Sequence, residues 1–269
     1  MDTDATDRRK REFRSWTSYQ DFAHDVKEKR RYVWGHDTRQ FLSAILSTRY
    51  ERESKIPIDS IVWRAQIGIE YHPRDDPEGK QYDEMPVGFL EERMKPRSDA
   101  AREGRANPAG IPVLYVATGK QTAISEVRPW IGTDISLARL KVIRDLTAID
   151  LSVRHGASSM RNLTWCGDTP IDAETKERAA WTSVDNAFSL PVSLEDSTGA
   201  YVPTQVLSEL FRDAGYDAVI YGSQFGDGHN IAIFDIENAE VVDCRPCSVS
   251  RIVVEYRETG NPWYKVKSE

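Results

Sequence analysis

The stretch Arg105-Ala106-Asn107-Pro108-Ala109-Gly110-Ile111-Pro112-Val113-Leu114-Tyr115-Val116-Ala117-Thr118, with Glu126 eight residues further on, decides how the fold is read. Residues 111–117, interrupted by Pro112 and Tyr115, have the bulk and length of a buried strand. Thr118-Gly119-Lys120-Gln121 has the Thr-x-x-Gln form of a capping box, so a helix is expected to begin there and to end before Pro129. Glu126 then falls in its last turns. With Ala123 three residues earlier and Val127 beside it, the carboxylate is expected at the edge of the helix's apolar face. One strand–helix unit thus carries a guanidinium, a phenol and a carboxylate.

Working outward, residues 135–143 and 146–151 read as strands and residues 176–188 as a helix. A further helix is expected over 203–214, with Pro203 near its start and Gly215 as the left-handed residue past its end. Strands follow at 217–221 and 230–236, joined by the glycine-rich turn Gly222-Ser223-Gln224-Phe225-Gly226-Asp227-Gly228-His229, and two last strands are expected at 240–244 and 250–256. Upstream, Ile61-Val62-Trp63-Arg64-Ala65-Gln66-Ile67 reads as a strand that carries a cation. Residues 71–110, dense in proline, glycine and charge, read as a long loop with one short element near 87–93. Residues 1–14 are polar and expected to be mobile. Helices are expected over 19–33 and from Asp37, whose side chain is placed to cap. Strands and helices interleave without a steady βαβ rhythm, which gives a mixed α+β class with a mainly antiparallel sheet and flanking helices. The expected organisation is an N-terminal helical extension, 1–58, followed by a main domain, 59–269.

Among 269 residues the net charge is −7, which argues against an extended nucleic-acid surface. Residues 1–60 hold 13 Lys/Arg against 11 Asp/Glu, so the acidity resides in the rest of the chain. Three cysteines make no disulfide framework, and the charged start of the chain, with Arg8-Arg9-Lys10-Arg11, does not resemble a signal peptide. No apolar run approaches the roughly 18 residues of a membrane span. A soluble, cytoplasmic protein is expected.

Each polar candidate has an ordinary reading beside the functional one. Arg105 suits a clamp on a pyrophosphate or carboxylate, and equally a solvated loop arginine. Arg64, on the opposite face from Trp63 and Ala65, suits a ligand contact or a half-exposed sheet face. Tyr115 can stack on a ligand ring or fill the core. Glu126 can serve chemistry or pair with Lys120 or Arg128 on the helix surface. Ser223 and Asn230 bracket a turn whose glycines would let backbone approach a ligand, although such turns also occur without one. The turn matches neither nucleotide-binding glycine motif, since a strand follows it. Cys244-Arg245-Pro246-Cys247 lacks a second ligand pair, and the five histidines show no His-x-x-x-His spacing, so no metal and no resident cofactor is expected.

Taken in order, Trp63-Arg64-Ala65, then Gly104-Arg105-x-Asn107-Pro108-x-Gly110-x-Pro112-x-Leu114-Tyr115-x-Ala117, then Thr122-Ala123 with Glu126, then Tyr221-x-Ser223 with Asn230, resemble the RES domain over about residues 60–240. The chain departs from the family pattern at Ala106, where an aromatic residue is common, and in the length of residues 1–58 and 71–103. The resemblance implies an ADP-ribosyltransferase-like fold and a bacterial toxin that degrades NAD⁺ by phosphorolysis or hydrolysis, neutralised by a cognate antitoxin. NAD⁺ would be substrate, with phosphate as a candidate co-substrate. Under it, Glu126, Arg105 and Tyr115 are catalytic, while Arg64, Ser223 and Asn230 bind substrate. Specifically, Arg105 and Arg64 would hold the pyrophosphate, Tyr115 would pack on the nicotinamide or its ribose, and Ser223 and Asn230 would hold the ribose hydroxyls. Transfer of ADP-ribose to a macromolecule and a non-catalytic protein-interaction module are the rival expectations. Oligomeric state is left open.

Overall fold

The computed structural model describes residues 12–75, 79, 81–97, 99–153, 171–190, 199–225 and 228–254, with 256, 258, 260 and 263. The basic run 8–11, most of the expected mobile segment 1–14, and Gly226 and Asp227 of the glycine-rich turn lie outside the described residues. The chain begins with helices α1 (Ser18–His24), extended by a π turn to Lys29, and α2 (His36–Thr48). Strands β1 (Glu53–Ile56) and β2 (Ile61–Ile67), the ribbon β3 (Glu70–Asp75) and β4 (Gln81–Val87), and the single turn α3 (Glu91–Met94) follow. Next come β5 (Leu114–Ala117), α4 (Lys120–Glu126), β6 (Asp134–Val142) and β7 (Leu146–Asp150). Helices α5 (Ala173–Ser189) and α6 (Val202–Asp213) precede β8 (Ala218–Gly222), β9 (His229–Ile233) and β10 (Ala239–Ser248).

Among the described residues the main sheet has eight strands in the order β1-β7-β8-β9-β5-β2-β6-β10, antiparallel throughout except for the parallel pair β7–β8. This is the expected α+β class with a mainly antiparallel sheet. One pairing positions the site. Strands β2 and β5 meet at the single register pair Trp63↔Ala117 and part beyond it, whereas β2 runs beside β6 for seven pairs.

Apolar spacing explains which face each element buries. On one side of the sheet Phe22, Phe41, Ile45, Trp181, Phe188 and Phe211 pack against Val219 and Ala232, with the Phe22 and Phe41 rings stacked 4.6 Å apart. Burying each such side chain fully contributes about 1.5–3 kcal/mol. The N-terminal helices share this cluster with α5 and α6, and β1 pairs with β7. A second cluster, with Val62, Leu114, Val116 and Leu140, takes in Phe89 and Met94 from the segment after the ribbon. A third and smaller one, Ala65, Ala117, Ala123, Ile135 and Leu137, seats α4.

Several expectations need correction. Residues 71–110 are not a continuous loop: β3 and β4 form a ribbon paired from Glu70↔Val87 to Asp75↔Gln81. Pro73 and Pro86 are tolerated because an isolated two-stranded ribbon has two free outer edges. Among the described residues 250–254 and 256 the expected strand does not form. β6 begins at Asp134, opposite Ser248, so residues 250–254 have no partner strand among the described residues, and Val253 and Val254 stay exposed. The strand expected at 240–244 instead runs on to Ser248, with a bulge between Val241 and Asp243. The capping box at Thr118 is absent too. Gly119 is the N-cap without a side-chain bond, and Thr118 Oγ1 accepts from the His229 N–H at 3.0 Å. The first α-helix gives way to the π turn and ends at Lys29 rather than Val33, and α2 is capped by Gly35, with Asp37 in its first turn paired with Arg14.

Candidate active site

Arg105 owes its place to a turn closed in both directions by Gly104 and Asn107, whose backbones exchange hydrogen bonds of 2.9 and 3.4 Å. Tyr115, standing on β5, reaches under that turn. Its hydroxyl donates to Asn107 Oδ1 at 2.6 Å and accepts from the Ala106 N–H at 2.9 Å. Asn107 Nδ2 in turn donates to the carbonyls of Arg102, Pro108 and Ile111. From α6, the buried Gln205 Nε2 donates to Gly104 O and Asn107 O, both at 3.0 Å. No side chain fits at Gly104, because a Cβ there would lie 2.5 Å from Tyr115 Oη. Burial pushes the Tyr115 phenol up from its usual range, so the hydroxyl stays protonated and keeps donating to Asn107. The tyrosine expected to do chemistry therefore has its hydroxyl committed on both sides, to holding the Arg105 turn. Arg105 itself donates to Ala187 O at 3.2 Å, with its guanidinium 5.7 Å from the Tyr201 ring centroid.

Arg64 fills the split between β2 and β5. In an uninterrupted ladder the Tyr115 carbonyl would face strand β2; here it accepts from Arg64 Nη1 at 2.8 Å. Burial lowers the Arg64 pKa to about 10, an effect opposed by Tyr115, and its Nε is enclosed without a hydrogen-bond partner among the described residues. Such a cation is under-satisfied, which suits a site that takes an anion.

Glu126 closes α4 and is met from the neighbouring strands. Ser223 Oγ, just past β8, donates to Glu126 Oε1 at 2.8 Å, and Asn230 Nδ2, on β9 opposite Ala117, donates to the same oxygen at 2.6 Å. The surface pairing with Lys120 or Arg128 does not occur. Lys120 sits 4.7 Å from the Trp63 ring centroid and Arg128 5.1 Å from that of Phe225. The glycine-rich turn comes close because Gly228 has no side chain: a Cβ there would lie 2.2 Å from Thr122 Oγ1 on α4. Ser223 and Asn230 thus converge on the carboxylate.

A cleft of about 320 Å³ joins these parts. Arg64, Arg105, Tyr115, Glu126 and Asn230 all line it, together with Trp63, Tyr201 and Tyr221. Ser223 does not line it and touches it only through its bond to Glu126. Sequence reasoning missed Tyr201, Gln205 and the Ala187 carbonyl. They reach the site from α5 and α6, and no local signal marks them. The aromatic walls suit flat rings, the two guanidiniums suit an anionic linker, and a carboxylate with one oxygen held suits a developing positive charge. Among the described residues no group of three His, Cys, Asp or Glu could hold a metal ion. Cys244 and Cys247, three apart on β10, point to opposite faces of the strand and cannot close on each other. No helix among the described residues is long and apolar enough to cross a membrane.

No curated protein matches the chain. A solved chain described as the M. tuberculosis MbcT–MbcA toxin–antitoxin complex is similar at 12% identity and a TM-score of 0.41, over 78% of this chain and 92% of that one. The RES domain model matches residues 86–253, a span that holds Arg105, Tyr115, Glu126, Ser223 and Asn230 and leaves Arg64 outside. With more than half of its length matched, the chain belongs to the RES domain family.

Proposed function

We propose that the protein cleaves the nicotinamide–ribose bond of NAD⁺ and passes the ADP-ribosyl group to phosphate or water. The observation that carries this reading is the Glu126 carboxylate, fixed at Oε1 by Ser223 and Asn230 in a cleft that also holds Arg64 and Arg105. Membership of the RES domain family supports it. Nicotinamide leaves as a neutral molecule from a cationic ring, taking the bond's electron pair to its own nitrogen. No general acid is needed. The requirement is a negative charge near the anomeric carbon as it becomes oxocarbenium-like, which Glu126 supplies through Oε2. Arg105 and Arg64 hold the pyrophosphate, Trp63 and Tyr201 bound the flat rings, and Tyr115 keeps Arg105 in place. Positioning of this kind can contribute several kcal/mol to the rate, on the order of what effective molarity supplies elsewhere. The protein works in the cytoplasm, where NAD⁺ is available, and a cognate antitoxin restrains it.

The test is to incubate the purified protein with NAD⁺, with and without phosphate, and to resolve the products by mass beside Glu126→Gln. Free nicotinamide with ADP-ribose, or with its 1″-phosphate when phosphate is present, lost in Glu126→Gln, supports the reading and identifies the acceptor. Intact NAD⁺ with folded wild-type protein sinks it. Label transferred from NAD⁺ to a macromolecule would favour ADP-ribosyltransfer instead.

A further inference from the structure

Arg128 lies outside the cleft and pairs with no carboxylate among the described residues, yet it occupies a costly backbone conformation. Its φ is +48°, in the left-handed region, and Pro129 follows it. A side chain at such a position is disfavoured in itself, and a following proline restricts the preceding residue further. The usual residue two places past a helix end in this conformation is glycine, and the Arg128 N–H makes the expected closing bond, to Ser125 O at 3.0 Å. What arginine adds is its guanidinium over the Phe225 ring. Phe225 belongs to the glycine-rich turn, and its N–H donates to Ser223 Oγ at 3.1 Å. With a lone pair of Oγ engaged there, the hydroxyl proton is directed to Glu126 Oε1.

We propose that Arg128 is a positioning residue: by holding Phe225 it orients the Ser223 hydroxyl, which keeps Glu126 Oε1 fixed and Oε2 turned to the substrate. This rests on the reading of Glu126 given above. The chain of contacts runs from the end of α4, across the turn, and back to the last residue of the same helix. Strain is stored at the helix end and the clamp retains it.

Arg128→Gly separates this role from a structural one, since glycine relieves the strain while deleting the cation–ring contact. The expected result is kcat for NAD⁺ cleavage lowered about 5- to 20-fold at a KM within twofold of wild type, with a melting temperature equal to or above wild type. Arg128→Lys, which keeps a cation for the ring, recovers part of the lost kcat, and Phe225→Leu lowers kcat to a similar extent without adding to Arg128→Gly. Unchanged kcat in Arg128→Gly, or a kcat loss matched by a fall in melting temperature, overturns the proposal. If the wild-type protein leaves NAD⁺ intact, it is the NAD⁺ reading that fails, and the clamp is decided by hydrogen exchange at the Phe225 amide. Faster exchange in Arg128→Gly supports it, and unchanged exchange overturns it.

Discussion

The two walls of the cleft are built on different plans. On the arginine side, the turn from Gly104 to Asn107 is closed by its own backbone, bonded from below by Tyr115, and held from α6 by Gln205. Asn107 and Gln205 are buried, and apart from the backbone pair that closes the turn each of these bonds joins a side chain to backbone or to another buried side chain. On the carboxylate side, Glu126 ends a seven-residue helix and depends on two side-chain donors, one from a glycine-rich turn. The first wall is a piece of scaffold and the second is an adjustable fitting. Substrate binding should therefore be hard to tune without unfolding, while turnover should be tunable at little cost to stability.

The largest effect expected is on the carboxylate side. Glu126→Gln should lower NAD⁺ cleavage by roughly 10²–10³-fold, the scale of losing one electrostatic stabiliser of a transition state, with the melting temperature little changed. A comparable loss of stability would break the contrast between the walls. On the arginine side, Gln205→Leu leaves Gly104 O and Asn107 O buried without that donor, at about 1–3 kcal/mol, so the melting temperature should drop by roughly 2–4 °C per kcal/mol. Differential scanning calorimetry decides it, and an unshifted melting temperature would show the turn to be less dependent on α6 than its bonds suggest. Tyr115→Phe removes both hydroxyl bonds and should cost about 1–2 kcal/mol, with kcat of the folded fraction down less than tenfold. A loss of kcat near that of Glu126→Gln would return the phenol to the chemistry itself.

The smallest effect concerns pH. Arg64 keeps its charge at neutral pH and loses its proton as pH rises through about 10, whereas its usual value is 12.5. Between those values the unfolded chain binds more protons. The destabilisation from burying the charge is thus fully present below about pH 10 and is relieved as pH rises through that window. Binding should change the other way: NAD⁺ affinity of the Glu126→Gln protein, followed by calorimetry, should weaken as pH rises through about 10. An affinity flat across that range, with Arg64→Gln binding NAD⁺ as tightly, would remove Arg64 from anion binding.

Much of this was legible where a local signal sufficed. Pro203 and Gly215 bracket α6 as expected, Pro203 within its first two residues and Gly215 at φ +90°. The strand holding Arg64 forms where the apolar spacing put it, and the helix ending at Glu126 follows the strand of Tyr115 as expected, although that strand is confined to Leu114–Ala117 of the expected 111–117, with Ile111 exposed. The partners were not legible. Gln205 bonds a turn about one hundred positions earlier in the chain, and Ser223 meets Glu126 across a similar separation. Tertiary packing makes those contacts and leaves no periodicity behind. The ribbon was hidden for a different reason, because proline and charge argue against a strand only when the strand is central.

The margins of the main sheet have a consequence for the protein in a crowded solution. At one margin β1 is four residues long and carries Glu53 and Lys55; at the other, β10 holds Pro246, which has no N–H to offer, and the bulge between Val241 and Asp243. Short, charged, bulged or proline-bearing margins resist the addition of a foreign strand. The sheet therefore ends where its own chain ends it, and neither margin is a ready template for end-to-end growth into fibrils.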